Sequence, residues 1–203
     1  MVRKKCISTN VDRLFSVISH ALWVVLPFLL AGCFFSPSSN VLMAGRPAGN
    51  HIQKVAVLPF VNQTQIANAS DIVTRAFIQE IFRRQTMQVE FPGNIKNYLI
   101  NERIILRKGL NAENIRQIGK RFDVDAVIVG CVNDFVDTTG RNKNQMPRVS
   151  VSARMITSDT CTIVWMGQNS RNGDDYETVL NFGRISSAAE LTRKVVREMI
   201  ETI

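Results

Sequence analysis

Hydrophobic and polar positions alternate along the chain with two distinct periods. Lys54-Val55-Ala56-Val57-Leu58-Pro59-Phe60 is a short apolar run closed by proline, which predicts a buried strand. A polar loop, Asn62-Gln63-Thr64-Gln65, follows. Over residues 71–84 the spacing becomes helical, with Ile72, Val73, Ala76, Phe77 and Ile81 to one side and Ser70 as the expected N-cap. Residues 87–91 alternate and predict a second strand that stops at Pro92-Gly93. A short helix is expected over residues 95–100. Another is expected over 112–121, capped by Asn111, with Ile115, Ile118 and Phe122 inward.

The second half carries the strongest strand signal. Residues 125–132, Asp-Ala-Val-Ile-Val-Gly-Cys-Val, are apolar on both faces, as a central strand requires. Residues 148–156 and 162–166 read as a hairpin about Ser158-Asp159-Thr160-Cys161. Its first strand places Val149, Val151, Ala153 and Met155 on one face and Ser150, Ser152 and Arg154 on the other. Ser187-Ala188-Ala189-Glu190 has the form of a capping box, opening a terminal helix that carries Leu191, Val195, Met199 and Ile203. The order β-α-β-α-α-β-β-β-α predicts an α/β fold, a mixed β-sheet with helices packed on it.

The first third of the chain has a different character. Basic Met1-Val2-Arg3-Lys4-Lys5 precedes an apolar run over residues 21–30, about ten residues and too short to cross a hydrocarbon core of roughly 30 Å as a helix. A positive start, a short apolar stretch and small exit residues define a secretory signal peptide. Leu30-Ala31-Gly32-Cys33 resembles a bacterial lipobox, in which the cysteine thiol takes a diacylglycerol and becomes the first mature residue. The expected organisation is therefore a lipoprotein signal peptide over 1–32, a lipidated Cys33 with a tether over 33–53, and one α/β domain over 54–203. The tether is rich in Ser, Pro, Gly and Asn, and about twenty such residues reach at most roughly 65–70 Å. Phe34 stands where an aspartate retains many lipoproteins in the inner membrane, so the expected address is the outer membrane, with the domain facing the periplasm.

Composition narrows the chemistry. The precursor carries a formal charge of +8. Arg3, Lys4, Lys5, Arg13 and Asp12 leave with the signal peptide, so 21 basic and 16 acidic residues remain, a net +5. That excess is scattered and marks no nucleic-acid surface. The two histidines, His20 and His51, fall in the signal peptide and the tether, leaving the domain none for acid–base work or a histidine metal site. No phosphate-binding glycine loop, nucleophile elbow or CxxC pair occurs. The acidic pairs Asp123/Asp125 and Asp174/Asp175 lie at a helix–strand junction and in a loop, where carboxylates commonly cap turns. Cys131 and Cys161 are the two cysteines left to the domain, and pairing between them is open at this level. No catalytic residue, cofactor, metal or small-molecule substrate is indicated.

Three segments carry a family resemblance: Val55-Ala56-Val57-Leu58-Pro59-Phe60 with Asn62 and Thr64, Asn101-Glu102-Arg103, and residues 118–130, Ile-Gly-Lys-Arg-Phe-Asp-Val-Asp-Ala-Val-Ile-Val-Gly. Together, behind the lipobox, they resemble the curli-secretion lipoprotein (CsgG) family and the related LpoB-type activators of peptidoglycan synthases. The resemblance implies an anticodon-binding-domain-like periplasmic fold without catalytic residues. It also implies a binding or assembly role, with another envelope protein or further copies of itself as partner. The alternative it implies is a subunit of an oligomeric secretion channel. Such subunits contribute two membrane hairpins each, and a membrane strand needs about 9–11 residues. Here residues 138–147 are ten and polar, and 167–185 carry Arg171, Asp174, Asp175, Glu177 and Arg184, which argues against a pore. Cys161 replaces the glycine expected after Thr160. Candidate contact regions are the polar segment 138–147 and residues 171–176. In a bacterial lipoprotein, Asn62-Gln63-Thr64 and Asn68-Ala69-Ser70 are chance matches to the glycosylation pattern.

Overall fold

The sheet grows outward from its most apolar strand. In the computed structural model, which describes residues 52–137, 146–178 and 182–203, β1 (Lys54–Val57) and β2 (Val61–Asn62) precede α1 (Ala69–Arg84). Then come β3 (Gln88–Val89), α2 (Pro92–Asn101), a 3-10 turn at Leu106–Lys108 and α3 (Ala112–Phe122). β4 (Ala126–Val136), β5 (Arg148–Thr157) and β6 (Ile163–Asn172) follow, then a 3-10 turn at Gly173–Tyr176 and α4 (Ala188–Ile200). The six strands make one sheet in the order β3-β1-β4-β5-β6, with β2 also beside β4. β1 is parallel to β3 and β4, and β2 is parallel to β4. β4, β5 and β6 are antiparallel. This is the mixed-sheet α/β class that the element order predicts.

Side-chain alternation divides the core in two. Val55, Val57, Ala126, Ile128, Val151 and Met155 pack with Val73, Phe77 and Ile81 of α1 and Leu191, Val195 and Met199 of α4. On the opposite face Ala56, Leu58, Val127 and Ile156 pack with Ile95 and Leu99 of α2 and Ile115 and Ile118 of α3. Each fully buried aliphatic or aromatic side chain contributes about 1.5–3 kcal/mol of transfer free energy. Coverage is unequal. α1 and α4 cover their face out to Trp165 of β6, while the core under α2 and α3 reaches no further than Ile156 of β5.

Several local expectations change. The strand expected through Phe60 ends at Val57, and Asn62 lies in β2, not in a loop. Pro59 lacks the N–H a ladder needs, and Phe60 turns its backbone toward α1: its N–H donates to Thr74 Oγ1 (3.0 Å) and its carbonyl accepts from Ser70 Oγ (2.7 Å). Ser70 is thereby engaged inside the helix and is not its cap; Asn68 holds that position without a side-chain bond. Pro92 opens α2 instead of ending a strand, because a helix N-terminus has no use for the missing N–H. β3 shortens to two residues accordingly. β6 runs six residues beyond the expected end at Met166, each paired with β5. Ser187 occupies the N-cap of α4 without a side-chain cap bond, so the capping box does not form. That helix is held by its apolar stripe instead, and Ile203 lies past its end.

Asn111 caps α3 as expected, its Oδ1 accepting from Asn114 N at 2.7 Å. Asn111→Ala should cost about 1 kcal/mol, read as a fall of roughly 2–4 °C in melting temperature by circular dichroism.

Candidate functional site

Cys33 and the motif residues Leu30, Ala31 and Gly32 lie outside the described residues, as do residues 138–145 of the polar segment. Residues 171–176 are described, and they are not a free loop. Arg171 lies at the end of β6, is 9 % exposed, and its Nε donates to Glu198 Oε2 on α4 at 3.0 Å. Tyr176 Oη donates to Glu198 Oε1 (2.7 Å) and Asn169 Nδ2 donates to Oε2 (2.9 Å). Lys194 Nζ sits 5.2 Å from the Tyr176 ring centre. Desolvation pushes the Glu198 carboxyl up, but hydrogen bonds from Tyr176, Asn169 and Arg171 and the Arg171 charge outweigh it and leave its pKa lowered. Burial and the Glu198 carboxylate push the Tyr176 phenol up. This cluster clamps α4 to the sheet edge, so the segment expected as a contact region has a structural role, with Asp174 left exposed. Its strand portion also takes residues 167–172 into the folded sheet, out of the span a second membrane hairpin would use.

The acidic pairs sit at element ends. Asp125 Oδ2 accepts from Gln53 N (2.8 Å) and Lys54 N (2.9 Å), and Asp123 ends α3 in the left-handed region, φ 51°. Asp175 Oδ2 accepts from Asn172 N at 2.8 Å. Cys131 and Cys161 are free thiols. Ala126 pairs with Thr157 and Cys131 with Ser152, so the cysteines are at least five rungs apart, roughly 17 Å. That is well beyond the roughly 4.4–6.8 Å between α-carbons that a disulfide spans. Cys161 takes φ 57° in the β5–β6 turn, the conformation for which glycine is favoured.

A groove opens where α2 and α3 stop covering the sheet. The strand register places Val129, Arg154 and Met166 in one row across β4, β5 and β6, and Cys131, Ser152 and Gln168 in the next. One wall is the segment from Leu58 to Gln65 and the other runs from Leu106 to Leu110; between them lies a groove of about 730 Å³. The first wall is braced internally: Asn62 Nδ2 donates to Ile66 O (2.8 Å), and Asn62 Oδ1 accepts from Thr64 N (2.9 Å) and Thr64 Oγ1 (2.8 Å). Arg107 links the walls through a 3.3 Å bond to Asn62 O. Arg154 and Arg107 are exposed, and no carboxylate among the described residues lies within ion-pair distance of either. Alternation along β5 had put Arg154 on the polar face; that the face is an uncovered groove depends on how far α2 and α3 extend, which no local pattern encodes.

Among the described residues no group of three or more His, Cys, Asp or Glu side chains is placed to hold a metal ion. No helix among them is long and apolar enough to cross a membrane.

No protein-family model matches the chain, and no curated protein matches it in sequence. Solved structures do match in fold. The PelC dodecamer from Paraburkholderia phytofirmans aligns with a TM-score of 0.58 at 16% identity, over 82% of this chain and 98% of that one. Lipoprotein GNA1162 from Neisseria meningitidis aligns at 0.50 and 15% identity, over 73% and 99% of the two chains. The LpoB C-terminal domain from Salmonella enterica gives 0.47 and 10%, over 61% and 86%. The class that the PelC and GNA1162 likenesses define is an α/β fold of the PelC type. At 15–16% identity the likeness is one of fold alone, and a solved bacterial lipoprotein has it.

Proposed function

We propose that this chain is an envelope lipoprotein, acylated at Cys33 and held at the outer membrane with its α/β domain in the periplasm. It acts there as a non-catalytic docking or assembly factor of the CsgG and LpoB type. The observation that carries this reading is the lipobox-like Leu30-Ala31-Gly32-Cys33 ahead of a fold that lipoprotein GNA1162 shares. The PelC likeness, to a protein that crystallises as a dodecamer, supports self-association as one form the assembly takes. A rigid sheet with a preformed groove suits docking, since fixed walls cost little ordering entropy when a partner binds.

Labelled palmitate is expected to enter the wild-type chain and to be absent from Cys33→Ser, which should also leave the outer-membrane fraction. Label that persists in Cys33→Ser, or fails to enter the wild type, would refute the anchor. Light scattering of the purified full chain then reads the assembly state.

A further inference from the structure

We infer that the groove over β4 and β5 takes an extended, carboxylate-bearing apolar segment of a partner protein. This names the partner chemistry of the docking reading and rests on that reading. The floor alternates chemistry in register, apolar Val129 and Met166 flanking the Arg154 cation, with Cys131 and Ser152 one row on. Rows on one face of a strand are about 7 Å apart, which is also the spacing of alternate side chains on an extended ligand. Such a segment can set apolar groups beside Val129, Met166, Leu106 and Leu110 while one carboxylate reaches Arg154 and another is drawn toward Arg107.

Charge complementarity selects the sign. Arg154 stands between apolar neighbours and Arg107 at the wall, neither with a carboxylate partner among the described residues. A guanidinium in that setting favours a carboxylate held bidentately. A lysine-bearing segment would meet like charge at both points.

Cys131 in the groove supplies a reporter that does not depend on Cys33. The full chain in lipid nanodiscs is treated with a maleimide, and alkylation at Cys131 is followed by peptide mass mapping. The probes are an acetylated heptapeptide alternating leucine and glutamate, its leucine–lysine counterpart, and laurate. The glutamate peptide should slow alkylation at Cys131 by about 10-fold when saturating, and the other two should not. Arg154→Gln, at an exposed position and expected to keep the wild-type circular dichroism spectrum, should weaken the glutamate peptide by about 10-fold. Equal protection by the lysine peptide, no protection by the glutamate peptide, or indifference to Arg154→Gln overturns the inference. Protection by laurate alone would make the groove a lipid site. Protection without any probe that disappears on dilution would assign it to a second copy. Either result also overturns the inference, while palmitate labelling of Cys33 tests the anchor separately.

Discussion

Gly130→Ala is expected to lower the melting temperature by roughly 6–12 °C, corresponding to about 3 kcal/mol in a domain of this size. Gly130 lies in the middle of β4, and its φ is not the cause. An added Cβ would run into the Phe60 ring and lie 2.6 Å from the Ser152 carbonyl oxygen. Neither obstacle can retreat cheaply. Ser152 O belongs to the β5 backbone, fixed by pairing on both sides. Phe60 is 3 % exposed, its ring is 4.7 Å from that of Phe77, and its backbone is tied to Thr74 and Ser70. Overpacking a close-fitted core costs about 1–3 kcal/mol, and a backbone obstacle puts this site at the upper end. Gly109→Ala separates this cause from backbone strain, because Gly109 has φ +88° and nothing within 4 Å of its added Cβ. At φ 88° and ψ 165°, a region that residues with a side chain rarely occupy, that substitution carries backbone strain of about 1–3 kcal/mol and no crowding. Gly130→Ala melting at the wild-type temperature in the calorimeter would show that crowding at Gly130 is not what the site resists.

How much of this was legible beforehand depended on whether a signal was local. β4, β5 and α3 could be read because their periodicities are long and consistent, and Asn111 sits where the α3 pattern begins. β2 could not be read. Its two residues look like a polar loop, and only their pairing with Cys131 and Val132, some seventy positions on, makes them strand. Pro92 illustrates a signal with two meanings, since proline both ends strands and opens helices. The groove was half legible: alternation set Arg154 opposite the core, but the extent of the helices overhead is a tertiary fact. Glu198 gave no signal at all, since a lone glutamate on an amphipathic helix is ordinarily solvated, and its three partners come from β6 and the following 3-10 turn.

Glu198→Ala removes the acceptor shared by those three donors, and the expected loss is about 2 kcal/mol at neutral pH, discounted for the part of the carboxylate that water still reaches. The larger share comes from what is left behind. Arg171, with its side chain 10 % exposed, loses its ion pair. Asn169, 1 % exposed and with Oδ1 already lacking a partner, keeps only a 3.3 Å bond from Nδ2 to Val195 O. The pH dependence has a definite sign. Because the folded-state pKa of Glu198 is lowered, its stabilisation is fully present above the unfolded glutamate value of about 4.3 and is lost as pH falls through the folded value. The lowered pKa of Glu80, caused first by its hydrogen bond from Arg83 and also by those from Arg84, gives wild type a second contribution of the same sign. The informative quantity is therefore the difference between wild type and Glu198→Gln, which keeps Glu80 in both. Urea unfolding at pH 7 should show wild type the more stable, and that gap should shrink below about pH 4 as the carboxylate protonates. A gap that stays constant down to acid would mean that Glu198 contributes packing and not charge, and the clamp between α4 and the sheet edge would then have to be assigned to the apolar stripe of α4 alone.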